Sequence, residues 1–365
     1  NIISGNESQG IWVRNTASTS GNITIQNNYI GVGSDGSTQV ANGTSSSSAA
    51  GILGDDHANL ATVNWTIKDN VISGNTALSG TAPGIRALSG GTVTIQGNTI
   101  GFKADRTTAL ANTGAGIEVD AGTVTIGTNN DGVTDSLEGN VIGNNGADGI
   151  LVNGAETTTV SINGNNIGLN SSGAGSHGNT TNGISINGSA VTTVNIGVVT
   201  ATDIGYGKNN IGNNGGDGIN IGTTGGTSGT PANITIANND IGFNLTSTFS
   251  NVRNGIDLES TAGVQNVTIG TNGDGTNDAS EQNIIGRNNT AGVNNSRGEI
   301  ALIKGVKTLT VAGNVITGGT LGSHGVVVNA TDANLSSVTI GGDDCSTSAA
   351  ATNNSSNERN HFPGI

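Results

Sequence analysis

Asn1-Ile2-Ile3-Ser4-Gly5-Asn6 returns as Asn70-Val71-Ile72-Ser73-Gly74-Asn75, and its core, Asn-x-Ile, recurs down the chain. The Asn falls at 1, 28, 70, 98, 140, 165, 209, 239, 283 and 314, and again at Asn360, where Phe362 replaces Ile. Successive intervals are 27, 42, 28, 42, 25, 44, 30, 44, 31 and 46 residues, so short and long alternate. A chain that returns to one phrase at nearly fixed spacing repeats one structural unit, and such units stack on each other. The alternation makes the repeat a two-coil unit of about 70 residues.

Two further phrases follow each Asn-x-Ile in order. One is Gly-Ile-x-Val, as in Gly116-Ile117-Glu118-Val119 and Gly149-Ile150-Leu151-Val152; the other is Val-Thr-Ile, as in Val93-Thr94-Ile95, Val124-Thr125-Ile126 and Val267-Thr268-Ile269. Each alternates apolar and polar residues with period two and is bounded by Gly, Asn or Ser, which marks a short strand. No amphipathic helical period is present. Three strands per unit without a helix describe a coil, with each strand lying on its counterpart roughly 4.8 Å away in the next coil. About ten coils give a rod on the order of 50 Å long. Ile117 and Val119 are expected to face inward, and Glu118 and Asp120 outward. The repeated Asn is expected inward at a tight corner, bonded to backbone and to the Asn above and below as a ladder. Gly beside it permits the positive φ of the corner.

Composition agrees with a solenoid. Of 365 residues 62 are Gly and only 3 are Pro, Met is absent, and aromatics are 2%. Lys and Arg number 12 against 26 Asp and Glu, a net charge of −14, which argues against nucleic acid and anionic membrane as partners. No apolar run approaches the ~18 residues of a membrane span. Cys345 is the only cysteine, so no intrachain disulfide forms, although an interchain pair is conceivable. Neither end carries a recognisable cap, which leads us to expect a segment of a longer array.

The phrases Asn98-Thr99-Ile100-Gly101, Gly114-Ala115-Gly116-Ile117, Val124-Thr125-Ile126-Gly127 and Glu138-Gly139-Asn140-Val141-Ile142 resemble right-handed parallel β-helix repeat proteins. The likeness covers the whole chain, and in particular the phrases resemble the long two-coil arrays of large bacterial surface and secreted proteins. The wider superfamily includes pectate lyases, polygalacturonases and phage tailspikes. The resemblance implies an all-β, right-handed solenoid with Asn and Ile/Val interior stacks. It also implies an extracellular or cell-surface role as a structural or adhesive rod, spacer or filament subunit. Its expected partners are further repeats docked end to end, side-by-side copies, and a carbohydrate or cell-surface ligand. The alternative is a polysaccharide-binding or polysaccharide-degrading enzyme, a hydrolase or lyase, or a tailspike-like module.

Two insertions carry oxygen-rich patterns. Gly127 to Glu138 and Gly270 to Glu281 place Asn129, Asp131, Asp135 and Glu138, and Asn272, Asp274, Asp278 and Glu281, at positions 3, 5, 9 and 12 of a calcium-type loop with Gly at 6. Oxygen ligands at alternate positions around a Gly turn suit a hard cation, so calcium is the expected cofactor. Position 1 departs from the pattern, being Gly127 or Gly270. The competing reading is a turn whose Asn and Asp bond their own backbone. The insertions after Gly197 and Gly341 retain only Asp203, and Asp343 with Asp344.

For catalysis, Glu118 and Asp120 stand two residues apart on one strand, roughly 7 Å, within the carboxyl spacing of an inverting glycosidase. Arg86 occupies the equivalent outward site one coil earlier, so an Arg86–Glu118 contact is expected. Asp257 and Glu259 repeat the pair. Solvated surface charge explains both pairs as well, and sugar sites usually present aromatic faces, whereas aromatics are only 2% of this chain and Trp12 and Trp65 are not repeated. No catalytic residue is assigned. His57, His177, His324 and His361 are scattered and have no zinc spacing. Trp12 and Leu53 are expected as outward neighbours, marking either a lateral contact or a covering loop. Asn22, Asn42, Asn64, Asn179 and Asn233 stand in Asn-x-Thr sequences, which mean glycosylation only in a source that modifies Asn. Thr92/Thr94, Thr123/Thr125 and Thr308/Thr310 form Thr-x-Thr pairs of the kind that order water on ice-binding helices, but they skip coils.

Overall fold

The computed structural model describes residues 1–14, 21–47, 49–55, 63–88, 91–154, 158–187, 191–197, 206–222, 233–272, 278, 280–291, 297–318, 324–328 and 335–341. Asp274, Cys345, His57, His361, Asp203, Asp343, Asp344 and the Asn360 phrase lie outside these residues.

The three phrases become three strands of a coil, and each pairs in parallel with its counterpart in the next. The Asn-x-Ile strands form a ten-stranded first face from Ile2–Ile3 to Val315–Thr317. The Gly-Ile-x-Val strands form a second face from Ile11–Arg14 to His324–Val328, and the Val-Thr-Ile strands a third from Gly21–Gln26 to Ser337–Ile340. Coils are numbered one to ten from these starting strands. In coils eight and nine the second- and third-face strands run together as Ile256–Gly270 and Gly298–Ala312. The chain is a parallel β-helix.

Register follows from burial. Inward residues align coil on coil, as in Ile117↔Ile150 and Val119↔Val152, and each of these four is completely buried. Slipping one strand by one residue would turn every apolar side chain to solvent. Size is matched across the interior: the buried Trp65 ring fills the space that Gly54 leaves, where an added Cβ would lie 1.7 Å from the ring.

The expected ladder is present and unbroken over ten coils. Each Asn Nδ2 donates to the Oδ1 of the next, from Asn1 to Asn28 at 2.9 Å through Asn283 to Asn314 at 2.8 Å. Asn140 shows the full pattern. Its Oδ1 accepts the backbone N–H of Asn98 at 2.9 Å and the Asn98 Nδ2 at 3.0 Å. Its Nδ2 donates to Asn165 Oδ1 at 2.9 Å and to the Ile95 carbonyl at 2.8 Å. The amide is thereby satisfied in the dry interior. The residue before the ladder Asn takes positive φ at Gly97 (64°), Gly164 (73°) and Gly313 (66°), and also at Asn27, Asp69 and Asn238. Asn and Asp tolerate that region too, so the corner does not require Gly alone.

A second ladder runs parallel to the first at the corner between the first and second faces. Asn6, Asn42, Asn75, Asn112, Asn145, Asn179, Asn214, Asn251 and Asn288 pass one Nδ2 bond to the next at 2.8–3.0 Å. It explains the Gly of Gly-Ile-x-Val. A Cβ on Gly116 would stand 2.7 Å from the Gly149 carbonyl and 2.9 Å from Asn145 Nδ2, and Gly51, Gly84, Gly149, Gly183, Gly218 and Gly255 repeat that crowding.

Length alternation has a cause beyond the acidic loops. Coils two, four and eight carry a small hairpin after the first-face strand, closed at Val32↔Gln39, Phe102↔Ala109 and Phe243↔Thr248. Asp105 Oδ2 accepts the Thr108 hydroxyl at 2.6 Å and its Oδ1 the N–H groups of Thr108 and Thr107 at 2.8 Å, and these bonds, the hydroxyl first, hold its carboxyl down at about 2. The hairpins touch along the rod, with Ala104 N–H on the Gly36 carbonyl at 2.8 Å. The first-face residues Val71, Thr99 and Val141 are buried.

Candidate functional site

The first acidic loop folds as turns closed by its own carboxylates, and the second has the same closing bond. Glu138 Oε2 accepts the N–H of Asn129 at 3.1 Å, and Glu281 Oε2 accepts that of Asn272 at 3.0 Å, so the two copies share one closing bond. In the first loop Asp131 accepts from Val133 N–H at 2.7 Å and from Asn129 Nδ2 at 3.1 Å. Asp135 Oδ2 accepts from Gly132 N–H at 3.1 Å, and its Oδ1 is buried without a hydrogen bond. Residues Asp135–Glu138 form one helical turn, an element absent from the sequence reading. Burial pushes the Glu138 carboxyl up, opposed by the Asn129 N–H bond. In the second loop Asp278 Oδ1 is likewise buried without a partner. Among the described residues no three His, Cys, Asp or Glu side chains converge as a metal group. Glu138 and Glu281 each engage a backbone N–H through one carboxylate oxygen, Oε2. Lys68, Asp69, Gln96, Thr134, Leu137 and Glu138 line a cavity of about 240 Å³ against the first loop.

On the second face, Arg86 meets both members of the outward pair. Its Nε lies 3.0 Å from Asp120 Oδ2 and 3.4 Å from Glu118 Oε1, which extends the expected Arg86–Glu118 contact. Asp120 is buried, 6% exposed, rather than freely solvated. Burial raises the Glu118 carboxyl, and Arg86 opposes it.

Farther along this face is a polar spine that the sequence reading missed. Asn182 N–H donates to Asp148 Oδ1 at 2.9 Å, Asp217 N–H to Asn182 Oδ1 at 2.7 Å, Asn254 N–H to Asp217 Oδ1 at 2.7 Å, and Gly298 N–H to Asn254 Oδ1 at 2.9 Å. Its signal is the residue before Gly-Ile, which changes from Gln9, Ala50, Pro83 and Ala115 in the first four coils to Asp148, Asn182, Asp217 and Asn254. Asp257 lies beside the spine. Burial, then Asp217, pushes its carboxyl up to about 7 against the pull of Arg253. Asp217 and Asp257 are 0% and 1% exposed, so they lie beneath the surface that Arg253 covers. Glu259 turns to Lys304 at 3.5 Å, so the second pair splits into one buried and one ion-paired carboxylate.

The second ladder ends on Glu299. The register Ile256↔Ile300 puts it in the glycine column above Gly255, and its Oε2 accepts Asn288 Nδ2 at 2.7 Å. Coil ten reads Asn314-Val315-Ile316-Thr317-Gly318-Gly319, with Gly where coil three has Asn75. The carboxylate takes the place of the missing amide. It is fully buried, with Oε1 unpartnered, and burial pushes it up to about 7.

Trp12 pairs in register with Leu53; Trp12 is 51% exposed with the Arg14 guanidinium 5.2 Å from its ring centre, whereas Leu53 is buried. His177 packs edge-on against Phe102 at 5.1 Å. Asn42 and Asn179 are buried ladder residues and cannot carry a glycan in the folded chain, while Asn22, Asn64 and Asn233 are exposed. Among the described residues no helix is long and apolar enough to cross a membrane. No family model matches the chain, and no curated protein or solved structure matches it significantly.

Proposed function

We propose that this β-helix is a structural or adhesive rod of an extracellular or cell-surface assembly, a stiff spacer whose loops form the binding surface. The observation that carries this reading is the unbroken Asn ladder from Asn1 to Asn314. A continuous column of satisfied amides, running beside stacked Ile and Val, resists shear and bending, because displacing one coil leaves buried donors without acceptors. Several carboxylates of the second face favour the same reading, Asp148 and Asp217 accepting backbone N–H groups, Asp120 and Glu118 facing Arg86, and Glu259 facing Lys304. Parallel strand edges at the ends of a coil stack accept another coil of like sequence, so further repeats of the same protein are the proposed partners. The acidic loops are the proposed places for calcium, bound through Asp131, Asp135 and Glu138 and through Asp278 and Glu281.

Sedimentation across a concentration series, with electron micrographs of the same samples, tests the assembly. Rods in multiples of one unit length are expected. A single monomeric species at every concentration would remove end-to-end stacking from the reading.

A further inference from the structure

We propose that the third face binds ice. Thr-x-Thr pairs read from sequence skip coils, but the strand register fills the gaps. The column containing Thr94 and Thr125 is Thr in every coil except at Ser161 and Asn195. The column two residues earlier, containing Thr92 and Thr123, is Thr, Asn or Ser throughout. Neither column contains a charged residue.

The other faces differ. The first has hairpins folded over it, and the outward residues of the second run Trp12, Leu53, Arg86, Glu118, Leu151 and Ser185. Strand preference for Thr acts equally on the second and third faces, so it does not explain why only the third is uniform.

The chemistry fits a water lattice. Adjacent coils stand about 4.8 Å apart and alternate residues about 6.7 Å apart, so hydroxyl and amide groups form a grid near the oxygen repeat of ice. Thr is stiff at χ1, which fixes its hydroxyl and methyl in place. Its hydroxyl both donates and accepts, as lattice water requires, and its methyl sheds disordered water. The outer column is cross-braced where it is Asn, with Asn64 Nδ2 on Asn22 Oδ1 at 3.2 Å and Asn266 Nδ2 on Asn233 Oδ1 at 2.9 Å. An uncharged grid roughly 40 Å long leaves no ionic hydration shell to displace. Ice contact by the third face is independent of end-to-end assembly.

Ice-affinity partitioning of the full 365-residue chain tests it, with protein measured in the ice and liquid fractions. The unsubstituted chain is expected to be enriched several-fold in ice over an inert protein of similar size. The double variant Thr94→Tyr/Thr125→Tyr, bulky at two outward positions in adjacent coils, is expected to fall to the inert level with its circular dichroism and melt unchanged. Leu78→Tyr, on an exposed corner, is expected to partition like the unsubstituted chain. Exclusion of the unsubstituted chain, undiminished enrichment of the double variant, or a dimer that the double variant dissolves would each overturn the proposal. The last outcome would make the face a contact between copies.

Discussion

At the scale of single residues, the interior is set by amides and by the space kept for them. Gly116→Ala places a methyl 2.7 Å from Ile142 Cγ2 and from the Gly149 carbonyl. Such overpacking costs about 1–3 kcal/mol, and backbone cannot yield as a side-chain tip does. A lower denaturation midpoint with an unchanged slope is the expected result. Glu299 is the contrasting case. Its carboxyl rises from 4.5 to about 7 on burial. A raised acid contributes its full share below the unfolded value and loses it as pH rises toward the folded value, so coils nine and ten should weaken between about pH 4.5 and 7. Glu299→Gln keeps an acceptor for Asn288 and removes the ionisation. At pH 8 it should stabilise that end by about 3 kcal/mol, from 7 − 4.5 = 2.5 units at 1.36 kcal/mol each. Below pH 4 the variant and the unsubstituted chain should match. Amide hydrogen exchange of Ile300, Leu302 and Val306 across this range measures the difference.

Among the elements, the hairpins and the acidic loops explain why alternate coils are long. Phe102 anchors one hairpin by complete burial against His177. Phe102→Ala should cost about 3–5 kcal/mol locally. Faster tryptic cleavage at Lys103 or Arg106, with the rest of the coil intact, is the expected readout. The loops carry a separate expectation: if calcium binds, it raises the melting temperature, and Glu138→Gln/Glu281→Gln abolishes the rise. An identical melt in chelator would retire both sites. The strands were legible in sequence because period-two alternation is local, and the first ladder because its Asn is tied to Ile at a fixed offset. The second ladder was not, because hairpins shift its distance from that Ile: Asn75 follows Ile72 by three residues and Asn112 follows Ile100 by twelve. The buried Asp217–Asp257 pair escaped because Asp217 precedes its strand, three residues before Asn220, which is the register partner of Asp257. The Arg86–Glu118 contact was legible because one register step defines it.

For the whole molecule, stability is a sum of coil terms and nearest-neighbour terms, so the rod's cooperativity depends on every coil gripping the next. The two ladders and the three strand pairings are that grip. Cutting both ladders at one level tests it. Asn140→Ala removes the acceptor for Asn98 N–H and Nδ2 and the donor to Ile95. Asn145→Ala removes the acceptor of Asn112 Nδ2 and the donor to Asn179. Each buried group left unpaired costs about 1–3 kcal/mol, so the double variant should lose on the order of 6 kcal/mol over the two boundaries of coil five. A globular core would spread that loss over a single transition. In a solenoid it falls on coil five and its two interfaces, with Asn1-side and Asn314-side coils retaining their own neighbours. Equilibrium denaturation should therefore separate into two steps, and hydrogen exchange should rise most at Val141, Ile142 and Ile150 and least at Ile30 and Ile285. If the double variant instead unfolded in one step with uniform exchange, the ladders would be passengers on strand pairing, and the rigidity assigned to them would belong to the backbone alone.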